Sequence, residues 1–298
     1  MQTPSATAPI QTTCPYCGVG CGVIATLDGQ GGVTIQGDPT HPANFGRLCS
    51  KGAALADTVG LQGRLLYPEI DGYRVDWQTA LDRVAARFGD TIREHGPDAV
   101  AFYVSGQLLT EDYYLANKLI KGFIGSANID TNSRLCMSST VIGHKRAFGE
   151  DIVPGCYEDF ELADLVVLVG SNTAWCHPVL FQRLVGSPNP NSLQKGEGEK
   201  GCRSSCTTPR PKIVTIDPRR TATSESADLH LAIQPGSDVI LFNGLLHYLR
   251  SHGKLDFAFL EHHAEGYAEA LQAAADTAPN IPAVAVACGV AEKDVAQF

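Results

Sequence analysis

The chain has no apolar run approaching the roughly eighteen residues that a membrane-crossing helix needs, so no stretch of it reads as a transmembrane segment and no membrane partner is expected. Positive charge is in short supply. Its 23 lysines and arginines face 32 aspartates and glutamates, a formal net charge of -9, which argues against a general role on nucleic acid or on an anionic surface. Residues 1–13 are rich in Thr, Pro and Ala and carry no basic leader, no twin arginine and no apolar core. No export signal is visible, and the expected compartment is the cytoplasm. Ten cysteines would suggest a disulfide framework in a small secreted module, but this chain has 298 residues and six of them, Cys136, Cys156, Cys176, Cys202, Cys206 and Cys288, are scattered. With 44% hydrophobic residues, the chain is globular material sufficient for two or more domains.

The remaining four cysteines are concentrated. Cys14-Pro-Tyr-Cys17-Gly-Val-Gly-Cys21-Gly places three in one short loop, and the fourth arrives in Arg47-Leu48-Cys49-Ser50-Lys51-Gly52. A zinc site of four thiolates is usually built from two knuckles with two cysteines each. A cubane cluster presents several corners, so one compact loop can reach three irons while a distant residue takes the last. The three-plus-one spacing favours a four-iron, four-sulfur (4Fe-4S) cluster over zinc. Gly18, Gly20 and Gly22 suit that reading, because residues without a Cβ allow positive φ and bring N–H groups close to sulfide.

Beyond the loop, Gly22 to Leu27 and Val33 to Ile35 predict a short hairpin. Asp76 caps a helical pattern through Trp77, Leu81, Val84, Phe88 and Ile92 that stops at Gly96-Pro97, and residues 99–104 read as a buried strand entering Ser105-Gly106-Gln107. Three further strands are expected at 165–169, 212–216 and 229–233. Each ends in a polar, small-residue loop: Gly170-Ser171-Asn172, Asp217-Pro218-Arg219-Arg220 and Pro235-Gly236-Ser237-Asp238. In open α/β sheets ligands bind outside the carboxyl ends of the strands, so these loops are expected to line one crevice. The predicted fold class is α/β: a small N-terminal β-rich iron–sulfur module at 12–66, then parallel-sheet α/β layers in two parts, 67–131 and 132–298. Residues 186–211 are a breaker-rich insertion expected to be an exposed mobile loop. Cys202 and Cys206 within it fit a solvated loop better than a metal clip. A helix only begins at Ala291, so the chain is expected to be an N-terminal piece of a longer one.

One further segment, Asn132-Ser133-Arg134-Leu135-Cys136-Met137-Ser138-Ser139, completes a pattern. Together with the cysteine loop, Cys49-Ser50-Lys51-Gly52 and the strand-end loops, it closely resembles the catalytic subunits of prokaryotic assimilatory nitrate reductases. These belong to the superfamily of molybdenum bis(molybdopterin guanine dinucleotide) oxidoreductases. The resemblance covers nearly all of residues 12–298 and implies that Cys14, Cys17, Cys21 and Cys49 hold a 4Fe-4S cluster, while Cys136 gives a thiolate to molybdenum. A soft thiolate suits a sulfur-rich metal centre. It further implies that Lys51 lies between cluster and pterin, and that Gln107, Asn132, Gly170, Ser171, Asn172, His177, Asp217, Pro218, Arg219, Arg220, Gly236 and Asp238 bind the dinucleotide-type cofactor.

The implied activity is an enzyme's: two-electron oxygen-atom transfer from nitrate, giving nitrite, with electrons entering through the cluster. Ferredoxin, flavodoxin or an NADH-linked flavoprotein is the implied donor. Formate dehydrogenases share much of this pattern but usually follow the metal-binding residue with histidine, where this chain has Met137, which the resemblance places with Cys136 and Lys51 at the reaction centre. A thioether cannot move protons, which favours nitrate. A third reading, a molybdenum-free electron-transfer subunit, has no use for Cys136 or for an intact set of strand-end loops.

Overall fold

A computed structural model describes residues 8–29, 31–186 and 210–298. Most of the expected insertion at 186–211, including Cys202 and Cys206, lies outside the described residues. The chain forms two compact units, one made by the residues up to Gly60 together with Gly155–Phe298, the other by Leu61–Pro154.

The first unit opens with an antiparallel sheet of β1 (Ile10–Thr13), β2 (Gly22–Leu27) and β3 (Val33–Gly37) in that order. The expected hairpin is β2–β3, with Leu27 opposite Val33. β1 was not legible in the sequence, because Ile10-Gln-Thr-Thr is short and exposed along its whole length and shows no alternation. It matters nonetheless. Thr13 pairs with Gly22, so the three-cysteine loop is the connection between two paired strands, and Cys14 N–H donates to Cys21 O at 2.8 Å across its neck. The chain then returns through Asn44, which is fully buried: its side chain accepts from Gly22 N–H at 2.8 Å and donates to the carbonyls of Gly22 and Arg47. Those bonds carry the Cys49 segment back to the loop.

In the second unit, β4 (Glu69–Ile70) and β5 (Tyr73–Arg74) meet at Asp71-Gly72, both at positive φ, as a tight hairpin of this composition requires. The helix Trp77–His95 follows with Asp76 as its cap, accepting from Thr79 N–H at 2.9 Å, and ends where Gly96 turns to φ +85°. The strand expected at 99–104 is shorter, β6 (Phe102–Val104), because Pro97–Ala99 takes one turn of 3-10 helix first. It pairs in parallel with β7 (Ile129–Thr131), three residues that carry no readable pattern alone.

Back in the first unit, β8 (Leu165–Val169), β9 (Lys212–Ile216) and β10 (Leu229–Leu231) form a parallel sheet in that spatial order. β10 stops two residues before the expected 233, as the chain leaves the sheet toward Pro235. Val169 pairs with Ile216 and Ile216 with Leu231, so all three strands end level. Helix Asp238–Ser251 and helix Ile281–Cys288 supply Leu241, Val284 and Cys288 to a core that includes Ile216, Leu231 and Ile233. No helix among the described residues is long and apolar enough to cross a membrane. Leu231 is wholly buried in this core. Leu231→Ala is expected to cost about 2–5 kcal/mol in equilibrium denaturation, the range for a large-to-small change in a packed core.

Candidate functional site

The thiols of Cys14, Cys17, Cys21 and Cys49 line a single pocket, walled by Tyr16, Val19, Leu48, Gly52, Pro178 and Val179. Cys14 and Cys21 are buried, Cys17 and Cys49 half-buried. Only one of the three glycines named from the sequence uses positive φ, Gly20 at +67°. Gly22 is needed for another reason: a Cβ there would lie 2.3 Å from the His41 ring. Burial pushes the Cys21 thiol up from its ordinary 9.0 to about 12, with the neighbouring Cys14, Cys17 and Cys49 adding to the effect. Four thiols held this close in an apolar pocket are costly as thiolates unless cationic metal is present. A tetrahedral zinc ion would need thiolates at about 2.3 Å from one point. Among the described residues no group of three or more His, Cys, Asp or Glu closes around a single ion.

Two residues that sequence reasoning missed support this pocket. Tyr157 O–H is shared between the carbonyls of Gly18 and Val19, at 3.1 and 3.0 Å, inside the cysteine loop. Burial first, then Cys21 and Cys17, raise its phenol above the ordinary range. Arg183, with a side chain 1% exposed, donates Nε to Glu161 at 2.7 Å and Nη1 to the carbonyls of Pro42 and Ala43 at 2.8 and 3.0 Å. Its guanidinium also lies over the rings of Phe45 and Tyr157. The one available signal was an arginine inside a largely apolar helix, Pro178–Leu184, whose first turn faces the thiols.

The level ends of β8, β9 and β10 bring the three predicted loops to one edge. Gly170 N–H still donates to Ile216 O, and Asp217 N–H to Leu231 O, so the first residue of each of these two loops stays in the ladder. Gly170 turns away at φ +58° and Gly236 at +87°. Asn172 Oδ1 accepts from the buried Thr223 hydroxyl at 3.0 Å, which itself accepts from Ala174 N–H, and this pins the loop from beneath. Asp217 Oδ1 accepts from Arg219 N–H, leaving Pro218, Arg219 and Arg220 exposed. Asp238 opens its helix after Ser237. This edge, of small residues, turned-out backbone and two guanidinium groups, fits a pyrophosphate-containing cofactor. His177 stands elsewhere: its Nε2 would be 3.8 Å from a Cβ at Gly18, against the cysteine loop. Lys51 is exposed in the short helix Ser50–Ala53, just past Cys49.

The second unit holds the other predicted residues. Asn132 Oδ1 accepts from Gly106 N–H at 2.6 Å, joining the loops after β6 and β7 and setting Gln107 beside Asn132. Cys136 ends the helix Ser133–Cys136 with its thiol exposed, and Met137 follows at the junction with helix Ser138–Phe148.

A family model described as the molybdopterin oxidoreductase Fe4S4 domain matches residues 8–60, and one for molybdopterin oxidoreductase matches residues 64–284. A nitrate reductase of Klebsiella oxytoca is 54% identical over 97% of this chain and 30% of its own length. One from Shewanella frigidimarina is 47% identical, with the same shares covered. The chain thus spans about a third of the length of these relatives. Among solved structures, acetylene hydratase from Pelobacter acetylenicus superposes with a TM-score of 0.74 over 96% of this chain and 38% of its own, at 21% identity, which speaks to the fold. The cofactors these domains bring are molybdopterin and a 4Fe-4S cluster.

The raised Cys21 thiol has a pH consequence. Its folded value lies above the unfolded one, so in metal-free protein its contribution to stability is fully present below pH 9.0 and is lost as pH rises toward 12. Denaturation of metal-free protein across that window is expected to show the loss, and metal-loaded protein, whose thiols have already released their protons, is expected not to. Four thiols around one pocket, three level strand ends and a family match over residues 64–284 lead to one conclusion: the chain belongs to the molybdopterin oxidoreductase family and carries its Fe4S4 domain at residues 8–60.

Proposed function

We propose that this chain forms the cluster domain and part of the cofactor cradle of a molybdenum nitrate reductase, an enzyme that reduces nitrate to nitrite with electrons entering through the 4Fe-4S cluster. The observation that carries this reading is the meeting of Cys14, Cys17, Cys21 and Cys49 on one pocket, in a chain this similar to nitrate reductases. When bound, the molybdenum bis(molybdopterin guanine dinucleotide) supplies two-electron oxygen-atom transfer and the cluster supplies single electrons.

The side chains of this chain hold and orient. Cys14, Cys17, Cys21 and Cys49 ligate the cluster, and Cys136 is the thiolate for molybdenum. Met137 beside it offers a thioether with no proton to give or take. That suits atom transfer and is a poor match for formate oxidation, which benefits from a proton-handling group at this position. Lys51 follows the last cluster ligand by two residues, and its ammonium would stabilise negative charge added to the bound cluster. Gly170 would turn the chain out of the ladder so that the backbone N–H groups of Ser171, Asn172 and Gly236 could meet the pyrophosphates, aided by Arg219 and Arg220. Asp217 and Asp238 would accept from guanine or ribose beside Pro218, and the sequence resemblance adds Gln107 and Asn132, whereas His177, against the cysteine loop, belongs with the cluster pocket. An assimilatory, cytoplasmic enzyme fed by ferredoxin, flavodoxin or an NADH-linked flavoprotein is supported by the sequence resemblance.

Metal analysis of anaerobically purified protein is expected to give iron near four per chain, and zinc in its place under adequate iron supply would overturn the cluster reading. Cys136→Ser in the full-length enzyme is expected to abolish nitrate reduction while the reduced cluster keeps its EPR signal. Unchanged turnover would remove Cys136 from the molybdenum site.

A further inference from the structure

The three-plus-one cysteine arrangement leaves a mechanical problem, since two chain segments must be held in register around one cluster. Arg183 and Tyr157 address both segments. The Arg183 guanidinium binds the carbonyls of Pro42 and Ala43, the residues next to Asn44, which in turn holds Arg47 and so the approach to Cys49. It also lies over the Tyr157 ring, 5.6 Å from the guanidinium carbon to the centroid, and Tyr157 O–H donates to the carbonyls of Gly18 and Val19. One buried cation therefore stands behind both halves of the ligand set.

The direction of these bonds is informative. With the Gly18 and Val19 carbonyls drawn to the phenol, their negative ends are held by a donor at the moment a cluster gains charge. Hydrogen bonding, net charge and solvent exposure are the levers by which a protein sets a cluster's potential. We propose that Tyr157, backed by Arg183, is a positioning residue that raises the reduction potential of the cluster by fixing the loop between Cys17 and Cys21. This rests on the cluster reading above. Glu161, bonded to Arg183 Nε, keeps the arginine in place and offsets part of its charge.

Removing Arg183 would strand its buried partners and threaten the fold, so the discriminating variant is Tyr157→Phe, which deletes one oxygen and keeps the ring under the guanidinium. The measurement is an EPR-monitored titration of the holoenzyme with dithionite, each oxidised cluster taking one electron from the reductant. The expected result is unchanged iron content and a midpoint potential lower by at least threefold in the reduction equilibrium constant, about 28 mV for a one-electron couple. A variant that folds by circular dichroism yet fails to retain iron also supports the positioning role. A smaller shift, an upward shift, or loss of the fold itself overturns it, because Tyr157 then serves only packing. Wild-type enzyme without four irons and a cluster signal would defeat the cluster reading itself, whereas a wild-type signal beside an unmoved variant potential defeats only this inference.

Discussion

Four thiols must share one pocket although three of them belong to a single loop and the fourth lies far along the chain, and much of the first unit can be understood as the means of meeting that constraint. β1 and β2 clamp the neck of the loop, and the Thr13–Gly22 pair leaves Cys14 and Cys21 facing across it. Asn44 is the second clamp. Its amide satisfies both main-chain groups of Gly22 and the carbonyl of Arg47, and a fully buried amide with its bonds made is a strong specifier of chain path. The buried Cys21 thiol in turn resists ionisation, which favours metal over water in this apolar pocket.

The α/β part contributes to the same pocket from the other side. The helix Pro178–Leu184 leaves the end of β8 by way of the Thr173–Cys176 turn, and its first residues wall the thiols while its last turn carries Arg183. One excursion from the sheet thereby serves two places: the Gly170–Asn172 turn lies at the level strand ends, and the helix that follows packs on the cysteine loop. The sheet's level register at Val169, Ile216 and Leu231 is what makes that edge a surface rather than a set of separate turns.

Several elements could be read in advance because their signals are local. Asp76 as a cap, Gly96 as a stop, Pro178 at a first helical position and the apolar runs of β8 and β9 are properties of a few adjacent residues, and each element formed where its chemistry allows. β1 and β7 were not readable, being short strands with no alternation whose existence depends on partners supplied by distant residues. The role of Gly22 was misassigned for a related reason. Positive φ is a local property, whereas the approach of the His41 ring exists only once the chain has folded back.

By itself the sequence determined which chemical groups the chain offers: thiols at three-plus-one spacing, a separate Cys136, and strand ends made of glycine, serine, asparagine and aspartate. These are matters of residue type and spacing, which survive without coordinates. Only the tertiary structure decided that Asn44, Tyr157 and Arg183 hold the cysteine loop, and that His177 stands against that loop. Their hydrogen bonds reach across twenty to more than a hundred residues, and a contact of that range has no periodicity or neighbouring motif to announce it. A buried arginine in particular is set by the carbonyls and carboxylate that converge on it, and convergence is a property of the folded chain.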